Sequence, residues 1–204
     1  MQEESKLLSR AQRGDPDAFE RLITPYEKRV YALALRMMGN AEDARDAAQD
    51  AMVRLWRALP DYRERASLST WIYKITTSAC LDALRKRRVR AQESLEAMME
   101  DGFAPTSGVD EPSEALLRRA RAEQVREGMQ RLPDDLRAAL ILRDVQGERY
   151  EDVAQALGVN VGTVKSRIHR AREKLCEFLT QSPELFGAGR VQRSEGKGGK
   201  KRGL

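Results

Sequence analysis

The chain has 204 residues, 41% of them apolar and 34% charged, and a formal net charge of +5. This suffices for one medium or two small cores beneath a charged surface, with an acidic partner, nucleic acid first, favoured by the positive balance. It lacks the run of about 18 apolar residues needed to span a membrane. The N-terminus MQEESKLLSR holds no apolar signal core, and Cys80 and Cys176 form no CxxC pair. The expectation is therefore a cytoplasmic protein with reduced thiols, without metal, cofactor or membrane insertion.

Every predicted element is a helix. Phe19, Leu22, Ile23, Tyr26, Val30, Leu33, Ala34 and Met37 recur at helical spacing, with Asp15 or Asp17 as cap and Gly39-Asn40 as terminator. A second helix runs from about Ala41 to Leu59, with Ala44, Ala48, Met52, Leu55 and Leu59 inward, and Pro60 stops it. Asp61–Ala66 is a charged loop. Ser67 or Ser69 caps a third helix that keeps Leu68, Ile72, Ile75 and Ala79 on one face. Its end is the run Arg85-Lys-Arg-Arg-Val-Arg90, where positive charge suits the helix dipole.

Residues 91–117 then carry seven acidic side chains and no basic one, together with Gly102, Pro105, Gly108 and Pro112. This predicts a flexible acidic linker, with a short helix possible over Ser94–Glu100. The expected architecture is all-α: an N-terminal domain over 1–90, a linker over 91–116, a helix-turn-helix domain over 117–182 and a basic disordered tail over 183–204.

In the second domain, Asp134 and Asp135 open a helix patterned by Leu136, Ala139 and Leu140 and closed by Gly147. Tyr150, Val153, Ala154 and Leu157 stripe a short helix ending at Gly158, a residue suited to a left-handed turn. Val164, Ile168, Ala171 and Leu175 stripe the next one. Ser166, His169 and Arg170 then point outward, flanked by Lys165, Arg167, Arg172 and Lys174. Long cations on such a face fit a major groove, reaching phosphates or guanine edges. The competing reading is a three-helix bundle with a solvated basic face. A lone His169 cannot build a metal site; Lys165 and Arg170 are the better contacts.

At these residues the chain resembles the extracytoplasmic-function sigma factors of bacterial RNA polymerase. LPDDLRAALILRDVQGERYEDVAQALGVNVGTVKSRIHRAREKL is similar to their C-terminal domain. DAFERLITPYEKRVYALALRMMGNAEDARDAAQDAMVRLWRAL and SLSTWIYKITTSACLDALRKRR are similar to their promoter-melting domain. The resemblance implies a non-enzymatic, dissociable subunit that directs core RNA polymerase to promoters and helps open the duplex. Implied partners are core RNA polymerase, double-stranded and melted promoter DNA, and an anti-sigma factor.

The resemblance also implies roles. Asp46, Gln49, Asp50 and Arg54 match the surface that grips a coiled coil of the polymerase clamp. Ala47, where the family often has Leu, implies looser packing or a smaller contact there. Asp61, Tyr62, Arg63 and Arg65 match the loop that captures a flipped base of the minus-ten element, which needs stacking and edge hydrogen bonds as its reward. Trp71, Tyr73 and Lys74 follow, aromatics among cations that suit single-stranded DNA; Trp71 equally fits a core position. Arg85, Arg87 and Arg88 suit backbone phosphates. Thr163, Lys165, Ser166, Arg167, His169 and Arg170 match the reader of the minus-thirty-five element. Asn160 stands where many members have proline, and Arg149 where serine commonly caps a helix. The acidic linker would thread toward the RNA exit path.

The alternative is a stand-alone helix-turn-helix regulator that binds duplex DNA as a dimer. No heptad helix follows the recognition helix, and the first domain lacks a phospho-acceptor pocket. A recombinase-type enzyme has no nucleophile or metal constellation to work with.

Overall fold

The structure, a computed structural model of the chain, describes residues 2–63, 66–95 and 114–186. Among these residues all regular structure is helical, and no helix is long and apolar enough to cross a membrane. Asp61, Tyr62 and Arg63 are thus described; Arg65 lies outside the described residues.

Helix α1 (Gln2–Ala11) precedes the first predicted element and buries Leu8 and Ala11. Helix α2 (Pro16–Met38) starts where Asp15 accepts the Ala18 N–H at 3.0 Å, with Pro16 in the first turn. It ends at Gly39, whose φ of +84° is the left-handed conformation that glycine adopts without strain. Asn40 caps α3 (Ala41–Ala58) by accepting from the Asp43 N–H at 2.8 Å. A 3-10 turn over Leu59–Asp61 leads to the loop, and the Ser67 hydroxyl accepts from the Thr70 N–H at 3.1 Å to start α4 (Leu68–Leu95). Leu22, Ile23, Val30, Leu55, Leu59 and Ile72 form the centre of this bundle. Each such side chain contributes about 1.5–3 kcal/mol on burial.

The second domain comprises α5 (Glu114–Gln130), α6 (Asp134–Leu140), a π-helical turn (Ile141–Val145), α7 (Tyr150–Leu157), α8 (Val161–Leu179) and a short α9 (Pro183–Phe186). Gly158, at φ +66°, makes the sharp turn between α7 and α8. The edges differ from the expected ones: residues 91–95 continue α4 and 114–116 open α5, so helix extends into both ends of the expected linker. The rest of that linker, including 96–100 of the possible short helix, lies outside the described residues, as does the tail beyond Phe186. Pro183–Phe186 is helical rather than the start of the tail, and its Leu185 carbonyl accepts from Arg121 Nε at 2.6 Å.

The two domains are packed together. Met37, Tyr73, Cys80 and Leu84 belong to the same continuous core as Ile141, Leu142, Val153 and Val164. This explains α4: besides its predicted face, it buries Thr70, Tyr73, Thr76, Thr77, Cys80 and Leu84. Polar contacts cross the boundary as well. Thr70 Oγ1 donates to Asp152 at 3.2 Å, Gln130 Nε2 donates to the Arg36 carbonyl at 2.8 Å, and Arg88 pairs with Asp134 at 2.7 Å.

Candidate nucleic-acid interface

Three surfaces converge on chemistry suited to a nucleic acid or a polymerase. The first is α8. Asn160 caps it, its Oδ1 accepting from the Thr163 N–H at 2.8 Å and the Thr163 hydroxyl at 3.0 Å. Val164, Ile168 and Ala171 are buried, which turns Lys165, Ser166, His169 and Arg170 to solvent. The Ser166 hydroxyl donates to the Thr163 carbonyl at 2.9 Å, and Arg170 Nε donates to the Ser166 carbonyl at 3.3 Å. Arg170 is nonetheless exposed.

The flanks behave differently. Arg167 is only 22% exposed and pairs with Asp135 of α6 at 3.2 Å, so it ties α8 to its own domain. Arg172 grips Asp144 with two donors, at 2.9 and 2.5 Å, and this pairing holds the guanidinium charged. The π-helical turn that presents Asp144 also places Arg143 4.6 Å from the Tyr150 ring centre, and Lys165 lies 5.7 Å from the same ring. Arg149 precedes α7 with no side-chain cap.

The second surface surrounds the loop after α3. A cavity of about 450 Å³ is lined by Asp61, Tyr62, Arg63, Ala66, Thr70, Trp71, Lys74 and Gln155. Tyr62 is 6% exposed; its hydroxyl donates to the Ala66 carbonyl at 2.7 Å and its ring lies 4.9 Å from that of Trp71, tilted by 44°. The pair forms a fixed aromatic wall. Trp71 is half-buried against the core and also lines the cavity. Arg63 is exposed and donates to the Pro60 carbonyl at 2.9 Å, while Lys74 is exposed at the cavity rim.

Tyr73 is not at this cavity. It is 1% exposed within the interdomain core, its hydroxyl 3.5 Å from Gln146 Oε1, and burial raises its pKa. Along the rest of α4, Arg85 pairs with Asp82 at 3.2 Å and Arg87 with Asp43 at 3.0 Å, and Arg88 reaches Asp134 of the second domain.

The third surface is the outer face of α3. Asp46, Gln49 and Asp50 are exposed. Arg54 bridges Asp50 at 2.7 Å and Asp82 of α4 at 2.6 Å, so it braces the two helices. Ala47 is 2% exposed, which makes it a packing residue of the core rather than part of any contact face. The sequence pattern had not marked Val53 and Trp56, which continue the Asp46–Gln49 stripe at helical spacing and are 41% and 37% exposed. Trp56 rests edge-on against Phe19 at 5.0 Å. Their signal was the stripe itself: apolar residues at positions that the buried pattern of α3 turns outward.

Cys80 is buried and its thiol is pushed up to about 12 by that burial, which leaves it inert. No group of side chains among the described residues suits a metal ion.

Residues 22–90 match sigma-70 region 2, and residues 122–175 match sigma-70 region 4. The RNA polymerase sigma-H factor of Pseudomonas aeruginosa is 35% identical over 87% of this chain and 94% of its own. The ECF RNA polymerase sigma-E factor of Escherichia coli K12 is 32% identical over 83% of this chain and 90% of its own. Among solved structures, the sigma factor RpoE of Bartonella quintana, in complex with the anti-sigma factor NepR, aligns with a TM-score of 0.61 at 25% identity. That alignment covers 79% of this chain and 96% of RpoE.

Proposed function

The chain belongs to the extracytoplasmic-function sigma factors of bacterial RNA polymerase, and from that premise we propose which of its residues hold polymerase and which read the promoter. It is an initiation factor that directs core polymerase to promoters, not an enzyme. The polymerase surface is the outward stripe of α3: Asp46, Gln49 and Asp50 supply charge and hydrogen bonding, and Val53 and Trp56 supply apolar area. Exposed tryptophan beside polar groups is the composition that concentrates binding energy at interfaces. Arg54 contributes by holding α3 and α4 in register.

Lys165, Ser166, His169 and Arg170 read the minus-thirty-five element from the major groove, with Thr163 at the first turn. Arg167 acts by anchoring the helix. The melted minus-ten strand is received at the cavity beside Tyr62 and Trp71, with Arg63 and Lys74 on its rim and Asp61 available to a base edge. Arg65 belongs to the same loop. Arg85, Arg87 and Arg88 lie along the path of the phosphates. Because only the open promoter offers an unstacked base, binding at this cavity shifts the closed–open equilibrium. The chain works in the cytoplasm, and an anti-sigma protein is its expected regulator, as NepR is the partner of the Bartonella factor.

The observation that carries this reading is the co-occurrence of both surfaces on one chain: an outward cationic α8 and an aromatic cavity beside α4. Run-off transcription with core polymerase tests it. Arg170→Ala should lower specific initiation by roughly 5- to 150-fold, the range for a lost bidentate base contact, while leaving core binding intact. Asp46→Ala and Gln49→Ala should do the opposite. Equal losses in both assays, or no specific initiation from any genomic fragment, would count against it.

A further inference from the structure

The loop that presents Asp61, Tyr62 and Arg63 is held by a residue from the far N-terminal end of the chain. Helix α1 ends at Ala11, and Leu8 and Ala11 are buried in the same apolar cluster as Leu55, Leu59, Tyr62 and Ile72. That packing brings the next residue, Gln12, to the end of α3. Its Nε2 donates to the Leu59 carbonyl at 3.3 Å and to the Tyr62 carbonyl at 2.9 Å. An ion pair of Arg10 with Asp15 at 2.7 Å spans the turn that carries Gln12.

The two acceptors are the two ends of one turn. The Tyr62 N–H donates to the Leu59 carbonyl at 3.1 Å, closing the 3-10 turn that leaves α3, and Pro60 within it has no N–H to offer. One carboxamide therefore clips this turn at both ends. The Tyr62 hydroxyl donates to the Ala66 carbonyl at 2.7 Å and its ring lies 4.9 Å from that of Trp71. Tyr62 is thus fixed at its carbonyl, its hydroxyl and its ring. The side chains on either side of it, Asp61 and Arg63, are 90% and 63% exposed, and both line the cavity. Gln12 does not line the cavity, and it lies outside the stretch 22–90 that matches region 2.

We propose that Gln12 is a positioning residue for minus-ten recognition: by clipping the Leu59–Tyr62 turn, it holds Asp61, Tyr62 and Arg63 in the arrangement that accepts an extruded base. Helix α1, which docks Gln12, thereby becomes part of the promoter reader. This rests on the reading of the cavity given above. A loop released from the clip samples other arrangements, and apparent affinity falls with the fraction that stays competent. One to two part-buried hydrogen bonds correspond to roughly 5- to 30-fold in that fraction. Base preference narrows as well, because a loop free to rearrange adapts to the wrong base.

The test compares Gln12→Met, which keeps the length and removes both donors, with Gln12→Lys, whose ammonium restores donors to both carbonyls. Each full chain is reconstituted with core polymerase, and a promoter that the wild type uses is found by run-off transcription. Fluorescence anisotropy measures binding of the holoenzyme to each labelled single strand of the minus-ten element, and to the same strands with each base replaced. Hydrogen exchange of the Tyr62 amide is followed by NMR on the free chain. Gln12→Met should lose roughly 5- to 30-fold in affinity for the preferred strand, narrow its preference over the replaced ones, and speed Tyr62 exchange by a similar factor. Gln12→Lys should stay within about two-fold of wild type in every readout, less than one hydrogen bond. Core-polymerase affinity should be the same for all three chains, a quantity that general damage to the fold would move. Wild-type behaviour in Gln12→Met, or a lysine variant as defective as the methionine one, would overturn the proposal. So would a loss of strand affinity with base preference unchanged. A wild-type holoenzyme with no base preference would instead sink the cavity reading, and Tyr62 exchange would still decide whether Gln12 holds the loop.

Discussion

Replacing Arg137 by methionine asks whether a buried guanidinium at the domain boundary is a net asset. The side chain is 3% exposed and makes three hydrogen bonds, to Asp134 at 2.6 Å and to two oxygens of Gln130. Bonds to a charged group contribute about 1.5–3 kcal/mol each in favourable settings. Against them stand the several kcal/mol of desolvating the cation and the Nε hydrogen, which has no partner among the described residues. Desolvation is strong enough to pull the Arg137 pKa down, with Asp134 opposing it. The deciding factor is what methionine leaves behind. Asp134, 15% exposed, retains Arg88 at 2.7 Å, so its charge stays partly compensated and the loss falls below the roughly 3–5 kcal/mol of a fully orphaned partner. We expect Arg137→Met to lower unfolding stability by about 2 kcal/mol, and Arg137→Ala by about 2 kcal/mol more because a cavity is added. Urea unfolding followed by far-ultraviolet circular dichroism measures both. An Arg137→Met chain as stable as wild type would show that the pair merely breaks even, and an alanine variant no worse than methionine would remove packing from the account.

Three further outcomes are expected. The Asp15 carboxyl is held below its ordinary value of 3.8, first by the Ala18 N–H and then by Arg10. A depressed folded pKa adds stability above the unfolded value and loses it as pH falls through the folded one. Asp15→Asn still caps but cannot titrate, so its melting curve and the wild-type curve should converge below about pH 3.8; parallel curves would refute the assignment. Gly128→Ala would put a Cβ 2.6 Å from both Leu175 Cδ1 and Phe178 Cδ1. Overpacking of about 1–3 kcal/mol outweighs a helix-propensity gain near 1 kcal/mol, so the melting temperature should fall, and a rise would contradict the packing. Lys165→Ala should reduce the salt slope of holoenzyme binding to promoter DNA by about one, while Arg167→Ala should leave the slope nearly unchanged and lower stability; reversed slopes would exchange their roles.

Helix positions were legible wherever one apolar face met one core. The α2 stripe from Phe19 to Met37 and the Val164, Ile168, Ala171 stripe of α8 fixed those helices, and Asp15, Asn160 and Gly158 act at their ends as their chemistry requires. Three features left too little local mark. Helix α1 buries only Leu8 and Ala11, too few for a periodic signal. The π-helical turn at Ile141–Val145 keeps the same apolar composition as the helix it interrupts. The second buried face of α4 is built of Thr70, Tyr73, Thr76, Thr77 and Cys80, residue types as compatible with solvent as with an interface. Tyr73 was therefore grouped with Trp71 as a base-stacking aromatic, when its partner in the free chain is the other domain.

The same limit governs the cations, and it ranks them. Charge and helical spacing alone treat Arg54, Arg87, Arg88, Arg167, Arg170 and Lys165 alike. In the folded chain Arg54, Arg87, Arg88 and Arg167 each hold a carboxylate, at 2.6, 3.0, 2.7 and 3.2 Å. Among the described residues Arg170 instead bonds only its own helix, through the Ser166 carbonyl. A guanidinium already paired must give up about 0.2–1 kcal/mol of exposed ion pair before it gains a phosphate, and its geometry is set by the first partner. Among the described residues neither Arg170 nor Lys165 pairs with a carboxylate, so in the proposed reading the discriminating contacts fall to these two. Arg88 is the instructive intermediate: it is 67% exposed yet bound to Asp134 of the other domain. Of the four pairs only Arg88–Asp134 crosses the domain boundary, so its strength, unlike that of the other three, depends on how the two domains pack.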